Sequence, residues 1–386
     1  HVFQRAMAGL TEYKTSDNDS FWSWRKLMYQ YANNLDAKQL YDIACYAYSE
    51  MLQAGFSSVC EFHYIHRALT DANNSEDMSL AIMQAAHDVG IGLTILPVLY
   101  TQAHIDGSAL SAQQQRFKLS TDEYVKLYKS LKNQCFPGQN IGLCFHSLRA
   151  VAINQITEIL TQLADDQPIH IHISEQTAEV DQVQQHTGLR PVELLFKHFA
   201  VNEKWCLVHA THLNNKEVDL MTQSGAIAGL CPMTEANLGD GIFPLAEFIQ
   251  LQGRYAIGSD SHILINPFQE LQILEYSQRL KRQRRIIAST IDSPHVGTLL
   301  WNNAVAAGAQ ASGLNVNGIA VGQRANWLSI NTKQALLTKL DGRQCLDVLI
   351  FANNQITSKT YILGQKYQGI AENISENYKN TLKSIR

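Results

Sequence analysis

Seven short apolar stretches recur along the chain, and helix-like sequence separates them. This alternation restricts the fold more than any other feature. The stretches are Phe56–Tyr64, Ile91–Leu99, Ile141–Phe145, Pro168–Ile173, Trp205–His209, Ala226–Cys231 and Tyr255–Gly258. Most are apolar without a polar alternate, as expected of strands buried on both faces of a parallel sheet. Helix-patterned segments lie between them: Ser75–Val89, Thr121–Leu131, Asn154–Ala164, Pro191–Phe199, Asn215–Ser224 and a short one near Leu245–Gln250. The sequence predicts an α/β chain. His146, Glu175, His209 and Asp260 follow strands directly. Barrels keep their active sites at the C-terminal ends of their strands. A doubly wound sheet shares the alternation but does not call for a functional residue after nearly every strand. The expectation is a (β/α)8 TIM-like barrel lacking its first strand, with an eighth strand ending just before His1.

The barrel is expected over 1–313, and 314–386 is expected to hold the C-terminal part of a β-sandwich module plus a terminal helix. From about Val321 the texture changes. Ala325–Ile330 and Cys345–Phe351 read as strands, and Ile356–Ile362 with Gln365–Gln368 reads as a hairpin around Leu363-Gly364. Near the start, residues 16–54 read as helical. Ser16 or Asp17 is a candidate cap, and a second helix runs from Asp36 to Gly55.

Composition excludes several classes of function. The formal net charge of the 386 residues is −4, which gives no basic footprint for nucleic acid. The one basic cluster, Lys281–Arg285, reads as a solvated helix face. No apolar run approaches the roughly 20 residues that a membrane helix needs. The seven cysteines are scattered, without a C-x-x-C pair, as expected of reduced thiols in a cytoplasmic protein.

The chemistry centres on Pro168-Ile-His-Ile-His-Ile-Ser-Glu175. Side chains alternate along a strand, so His170 and His172 share a face, and Glu175 falls just past the strand end. A buried strand with two hydrogen-bonded histidines satisfies the same pattern. Strand ends elsewhere add His1, His209 and Asp260, and such nitrogen and oxygen donors around one open position suit a catalytic zinc or iron. Phe145-His146-Ser147 stands where a bridging lysine would be needed for a dinuclear centre, so one metal is expected. Asp260 is placed to accept a proton from water and Glu175 to protonate a substrate nitrogen. Asp260-Ser261 reads equally as a helix cap.

Taken together, His1-Val-Phe-Gln4, Trp24-Arg25, Glu61-Phe-His63-Tyr64, His146-Ser-Leu-Arg149, His170-Ile-His172-x-x-Glu175, Leu207-Val-His209-Ala-Thr-His212, Cys231-Pro-x-Thr-Glu-Ala-Asn237-Leu-Gly-Asp-Gly and Gly258-Ser-Asp260-Ser-His resemble the amidohydrolase superfamily. More closely, they are similar to its formimidoylglutamate deiminase branch, which acts in histidine degradation. The resemblance implies one divalent metal, with zinc expected, on His1, His172 and Asp260. A further histidine ligand would lie upstream of His1. It also implies catalytic roles for Glu175, His209 and Asp260. The implied substrate is a small dicarboxylate amidine held by Gln4, Arg25, Tyr64, His146 and Arg149, and a homodimer is compatible with it. Two alternatives stay open: another mononuclear amidohydrolase acting on guanine, cytosine or a triazine, and a metal-deficient, inactive barrel.

Overall fold

The computed structural model describes residues 1–14, 21–71, 73–163, 166–352 and 358–386. The apolar stretches form one curled parallel sheet. Its strands are β1 (Ser58–His63), β2 (Gly92–Leu99), β3 (Asn140–Ile141), β4 (Leu143–Ser147), β5 (Ile169–Ile173), β6 (Trp205–His209), β7 (Ile227–Leu230) and β8 (Arg254–Ile257). They are ordered β1-β2-β4-β5-β6-β7-β8, with β3 beside β2. The third expected strand is thus split at Gly142. A Cβ there would stand 2.6 Å from Leu96 Cδ2 and 2.8 Å from the Pro168 carbonyl oxygen, so only glycine lets the three strands pack this closely.

Every residue of β2 and β5 is buried, which explains why their sequences lack a polar face. Helices cover the outside. Among the described residues β8 and β1 do not pair, and the space between them is lined by Val59–Phe62, Ala256–Gly258 and the helix Val296–Ser312. The sheet is the (β/α)8 architecture opened at one seam. No helix of the described residues is long and apolar enough to cross a membrane.

The C-terminal segment holds a three-stranded antiparallel sheet of β9 (Trp327–Ile330), β10 (Ser358–Ile362) and β11 (Gln365–Lys366). The stretch expected as a strand at Cys345–Phe351 is a helix, Gly342–Phe351. Asp341 caps it, accepting from the Gln344 N–H, while the Gln344 side chain accepts from the Asp341 N–H. That reciprocal cap decides for helix over an apolar run that suits either state. The expected helix over Asp36–Gly55 forms as Ala37–Ala54 and carries the same kind of cap at Asp36. The proposed caps at Ser16 and Asp17 lie outside the described residues.

A terminal helix, Glu372–Ile385, returns to the start of the chain. Tyr378 stacks on Tyr46 with ring centroids 4.1 Å apart, and Thr381 donates to Asp42 at 3.0 Å. Arg116 ties the wall of the future site together from the short helical segment Ala112–Phe117. Its guanidinium is buried and donates to the carbonyls of Ala32 (2.5 Å), Leu35 (3.0 Å) and Arg67 (2.8 Å). Burial lowers its pKa to about 10, still cationic at neutral pH. Replacing it leaves three acceptors without donors. Arg116→Leu is therefore expected to lower stability by about 3 kcal/mol in chemical denaturation, and a change under about 0.5 kcal/mol would contradict this role.

Candidate active site

Two histidines come to the mouth of the sheet already oriented. His1 Nδ1 lies 2.8 Å from the Phe62 carbonyl oxygen at the end of β1, and His172 Nδ1 lies 3.1 Å from the His146 carbonyl oxygen on β4. A carbonyl oxygen only accepts, so each Nδ1 carries the hydrogen and each Nε2 presents its lone pair. Burial holds His172 well below the ordinary imidazole range, with His146 and His209 nearby adding to the shift. A neutral ring with an outward Nδ1–H bond is the state in which imidazole ligates a metal.

Asp260 and His209 stand beside them. His1 Nε2 is 3.3 Å from Asp260 Oδ1, and His209 Nε2 is 3.8 Å from Asp260 Oδ2. His1 and His172 have ring centroids 5.3 Å apart, and His172 and His209 5.4 Å. The chain reaches these positions through left-handed backbone at non-glycine residues: Ser174 (φ 53°), His209 (φ 67°) and Asp260 (φ 39°). Such conformations cost energy and turn the strand ends so that their side chains converge.

Glu175 Oε1 is 3.6 Å from His209 Nε2. Burial raises the Glu175 pKa, and Asp260 and Glu235 push it further while His209 and Arg149 oppose them. His209 moves the other way. Burial alone would lower it, but Glu175, Glu235 and Asp260 overcome that and raise it well above the ordinary value. Glu179 anchors the turn that carries Glu175, accepting from the N–H groups of Ser174 (3.1 Å) and Glu175 (3.0 Å).

Sequence reasoning missed Glu235. It lies in the helix Pro232–Leu238 and accepts from His209 Nδ1 at 3.3 Å and from the Cys231 N–H at 2.8 Å. A carboxylate in a helix's first turn is ordinary, and only its partner distinguishes it. Asp240 reads as part of a turn, yet it is buried and accepts from Gln176. Burial and the Glu175 charge raise its pKa to about 9. Three further histidines of the motifs bond away from the cluster: His170 to the Ala311 carbonyl, His212 to the Asp240 carbonyl and His262 to the Ser259 hydroxyl.

The residues expected to bind substrate share one cavity with the cluster. Gln4, Arg25, Tyr64, His146 and Arg149 line it together with His1, His172, Glu175, His209 and Asp260. Gln4 Nε2 donates to the Tyr64 hydroxyl at 3.4 Å. Arg25 stacks over the Tyr29 ring at 5.4 Å. Burial lowers the Arg25 pKa, and the like charge of Arg149 adds to this. Arg149 Nη1 is buried and has no hydrogen-bond partner. Burial and both arginines keep His146 neutral. The cavity has two ends: a cluster of histidines and carboxylates, and a pair of guanidiniums.

A curled parallel sheet with histidines and an aspartate at its strand ends defines a hydrolase of the barrel type, and the chain belongs to the amidohydrolase family, which matches residues 1–365. A more particular likeness follows. The chain is 46% identical over 355 residues to formimidoylglutamate deiminase of Pseudomonas aeruginosa, covering 91% of this chain and 78% of that protein. It is 26% identical over 174 residues to a 5-methylthioadenosine/S-adenosylhomocysteine deaminase of Pyrococcus furiosus, covering 45% of this chain and 41% of that one. Among solved structures, an amidohydrolase from Brucella melitensis superposes with a TM-score of 0.95 at 37% identity, covering 100% of this chain and 87% of that one. The family resemblance read from the motifs is borne out.

Glu235 accepts from His209 and does not itself line the cavity. Losing such an outer partner typically costs about 10–100-fold in activity. Glu235→Ala is expected to lower kcat within that range while the protein stays folded, and wild-type kcat would remove Glu235 from the account.

Proposed function

We propose that the chain hydrolyses N-formimidoyl-L-glutamate to N-formyl-L-glutamate and ammonia, a step of histidine degradation. The observation that carries this reading is Arg149. Arg149 lines the same cavity as Glu175, His209 and Asp260, and its Nη1 is buried without a hydrogen-bond partner. An orphaned buried guanidinium hydrogen asks for an anionic ligand. A carboxylate at one end of a small substrate supplies it and places the other end among the histidines. The similarity to the Pseudomonas aeruginosa enzyme supports the same substrate. A neutral aminoheterocycle would leave the Arg149 Nη1 without an acceptor, a cost that disfavours that reading.

His1, His172 and Asp260 would hold one divalent metal, for which two imidazole nitrogens and a carboxylate suit zinc. Bound there, the ion would supply Lewis acidity and lower the pKa of water. The residues of the chain do the rest. Arg149 and Arg25 fix the two carboxylates, with Gln4, Tyr64 and His146 as neutral partners. That sets the amidine carbon against the attacking water. Asp260 takes the water proton. Glu175, whose raised pKa suits proton transfer, protonates the terminal nitrogen as the new C–O bond forms. His209 supports the charge developing on that oxygen. The proton held by Asp260 then passes to the same nitrogen, and Glu175 takes back the hydroxyl proton as the C=O bond forms. The C–N bond to the terminal nitrogen breaks, ammonia leaves, and the formyl group stays on the glutamate nitrogen.

Glu175→Gln is expected to keep metal content and lower kcat by roughly 10²–10⁴-fold. Near-native turnover would take Glu175 out of the mechanism. Removing one charge-assisted bond with Arg149→Met is expected to lower kcat/KM for N-formimidoyl-L-glutamate by roughly 10–150-fold. The loss on formamidine, which has no carboxylate, is expected to be much smaller. Equal losses on both substrates would make Arg149 a structural residue.

A further inference from the structure

The ring of strand ends contributes a polar side chain to the cavity from β1 (Tyr64), β4 (His146), β5 (Glu175), β6 (His209) and β8 (Asp260). At β2 the residue that follows the strand is Tyr100, which also lines the cavity. Its backbone is clamped against the turn that carries Arg149. The N–H groups of Thr101 and Gln102 donate to the Ala150 carbonyl at 3.0 and 3.1 Å, and Gln102 Nε2 donates to the Arg149 carbonyl at 3.3 Å. The Tyr100 ring stands edge-on to His146, with centroids 4.5 Å apart. Tyr100 is only 2% exposed, so the direction of its hydroxyl hydrogen is set by protein partners.

Those partners fix it. Gln114 Oε1 accepts from the Ser111 N–H at 2.9 Å, which orients the amide. Gln114 Nε2 must then face Tyr100, and it donates to the phenol oxygen at 2.9 Å. With its oxygen already accepting, the phenol has its own hydrogen left to donate. Tyr29, also on the cavity wall, shares a side-chain hydrogen bond with Tyr100. With the Tyr29 hydroxyl donating to the phenol oxygen as Gln114 does, the Tyr100 hydrogen is left for a ligand.

We propose that Tyr100 is a substrate-binding residue that donates its phenolic hydrogen to the carboxylate held by Arg149 and Arg25, and that Gln114 is the positioning residue that aims it. This rests on the dicarboxylate reading of the cavity. It adds to the two guanidiniums a neutral donor of fixed direction. A third cation could not serve as well there, because it would meet the repulsion that Arg25 and Arg149 already exert on each other.

The test uses two variants of the full chain and two ligands. Tyr100→Phe removes the donor and keeps the ring. Gln114→Glu keeps the acceptor for Ser111 but offers the phenol a carboxylate oxygen, so the phenol turns its hydrogen away from the cavity. Affinity for glutarate, a dicarboxylate that cannot react, is measured by calorimetry, and KM and kcat are measured with N-formimidoyl-L-glutamate. Both variants are expected to weaken glutarate binding about 10-fold, the value of a hydrogen bond to a charged group. KM is expected to rise in parallel while kcat changes less than about twofold, because the carboxylate contact is the same in ground and transition states. Glutarate affinity within about twofold of wild type in Tyr100→Phe overturns the proposal. So does a loss confined to kcat. A wild type that binds glutarate through Tyr100 but does not turn over N-formimidoyl-L-glutamate would leave this contact in place and refute the reaction instead.

Discussion

Everything at the mouth of the sheet depends on two hydrogen bonds from histidine rings to main-chain carbonyls of other strands: His1 to Phe62 and His172 to His146. Each fixes a tautomer: one ties the His1 ring to β1, and the other ties the His172 ring of β5 to β4. The donor geometry is therefore a property of the sheet and not of flexible side chains. Glu235 extends the same device to His209, with a carboxylate in place of a carbonyl. Because the strands are buried and in parallel register, the spacing between rings follows from the spacing between strands. Positive φ at Ser174, His209 and Asp260 shows where the chain accepts strain to bring these groups together.

The cavity divides its charges by position. Glu175, Glu235, Asp240 and Asp260 crowd around His209; burial and their mutual repulsion raise Glu175 and Asp240, while the carboxylates raise His209 against its burial. At the other end burial and the like charge of Arg149 lower the Arg25 pKa, so positive charge gathers there. An amidine with carboxylates on its far side complements both ends. The proposed substrate orientation rests on this polarity, and the chain's net charge of −4 does not describe the local field.

Much of this was legible in the sequence, for a physical reason. Buried parallel strands read as apolar runs, and a histidine or carboxylate directly after such a run stands out against it, as His172, Glu175, His209 and Asp260 do. Other residues act through partners that have no linear signature. Glu235 looks like a helix's first-turn acid until His209 is seen beside it. Tyr100 looks like the edge of an apolar strand, and its role depends on Gln114, fourteen positions away in sequence. Cys345–Phe351 was misread because an apolar run fits a strand or a helix equally, and the deciding signal was the Asp341–Gln344 cap just before it. Gly142 broke the third strand for want of room between Leu96 and Pro168, a tertiary contact that no local pattern reports.

The most direct test is to identify both products of N-formimidoyl-L-glutamate turned over by the metal-loaded protein, by proton NMR with a parallel ammonia assay. Water adding to the amidine carbon can expel either nitrogen. With the carboxylates fixed at the arginine end and Glu175 beside the terminal nitrogen, the products should be N-formyl-L-glutamate and ammonia in equal amounts. Glutamate and formamide would mean that the proton reaches the other nitrogen, and the assignment of the two ends of the cavity would be wrong.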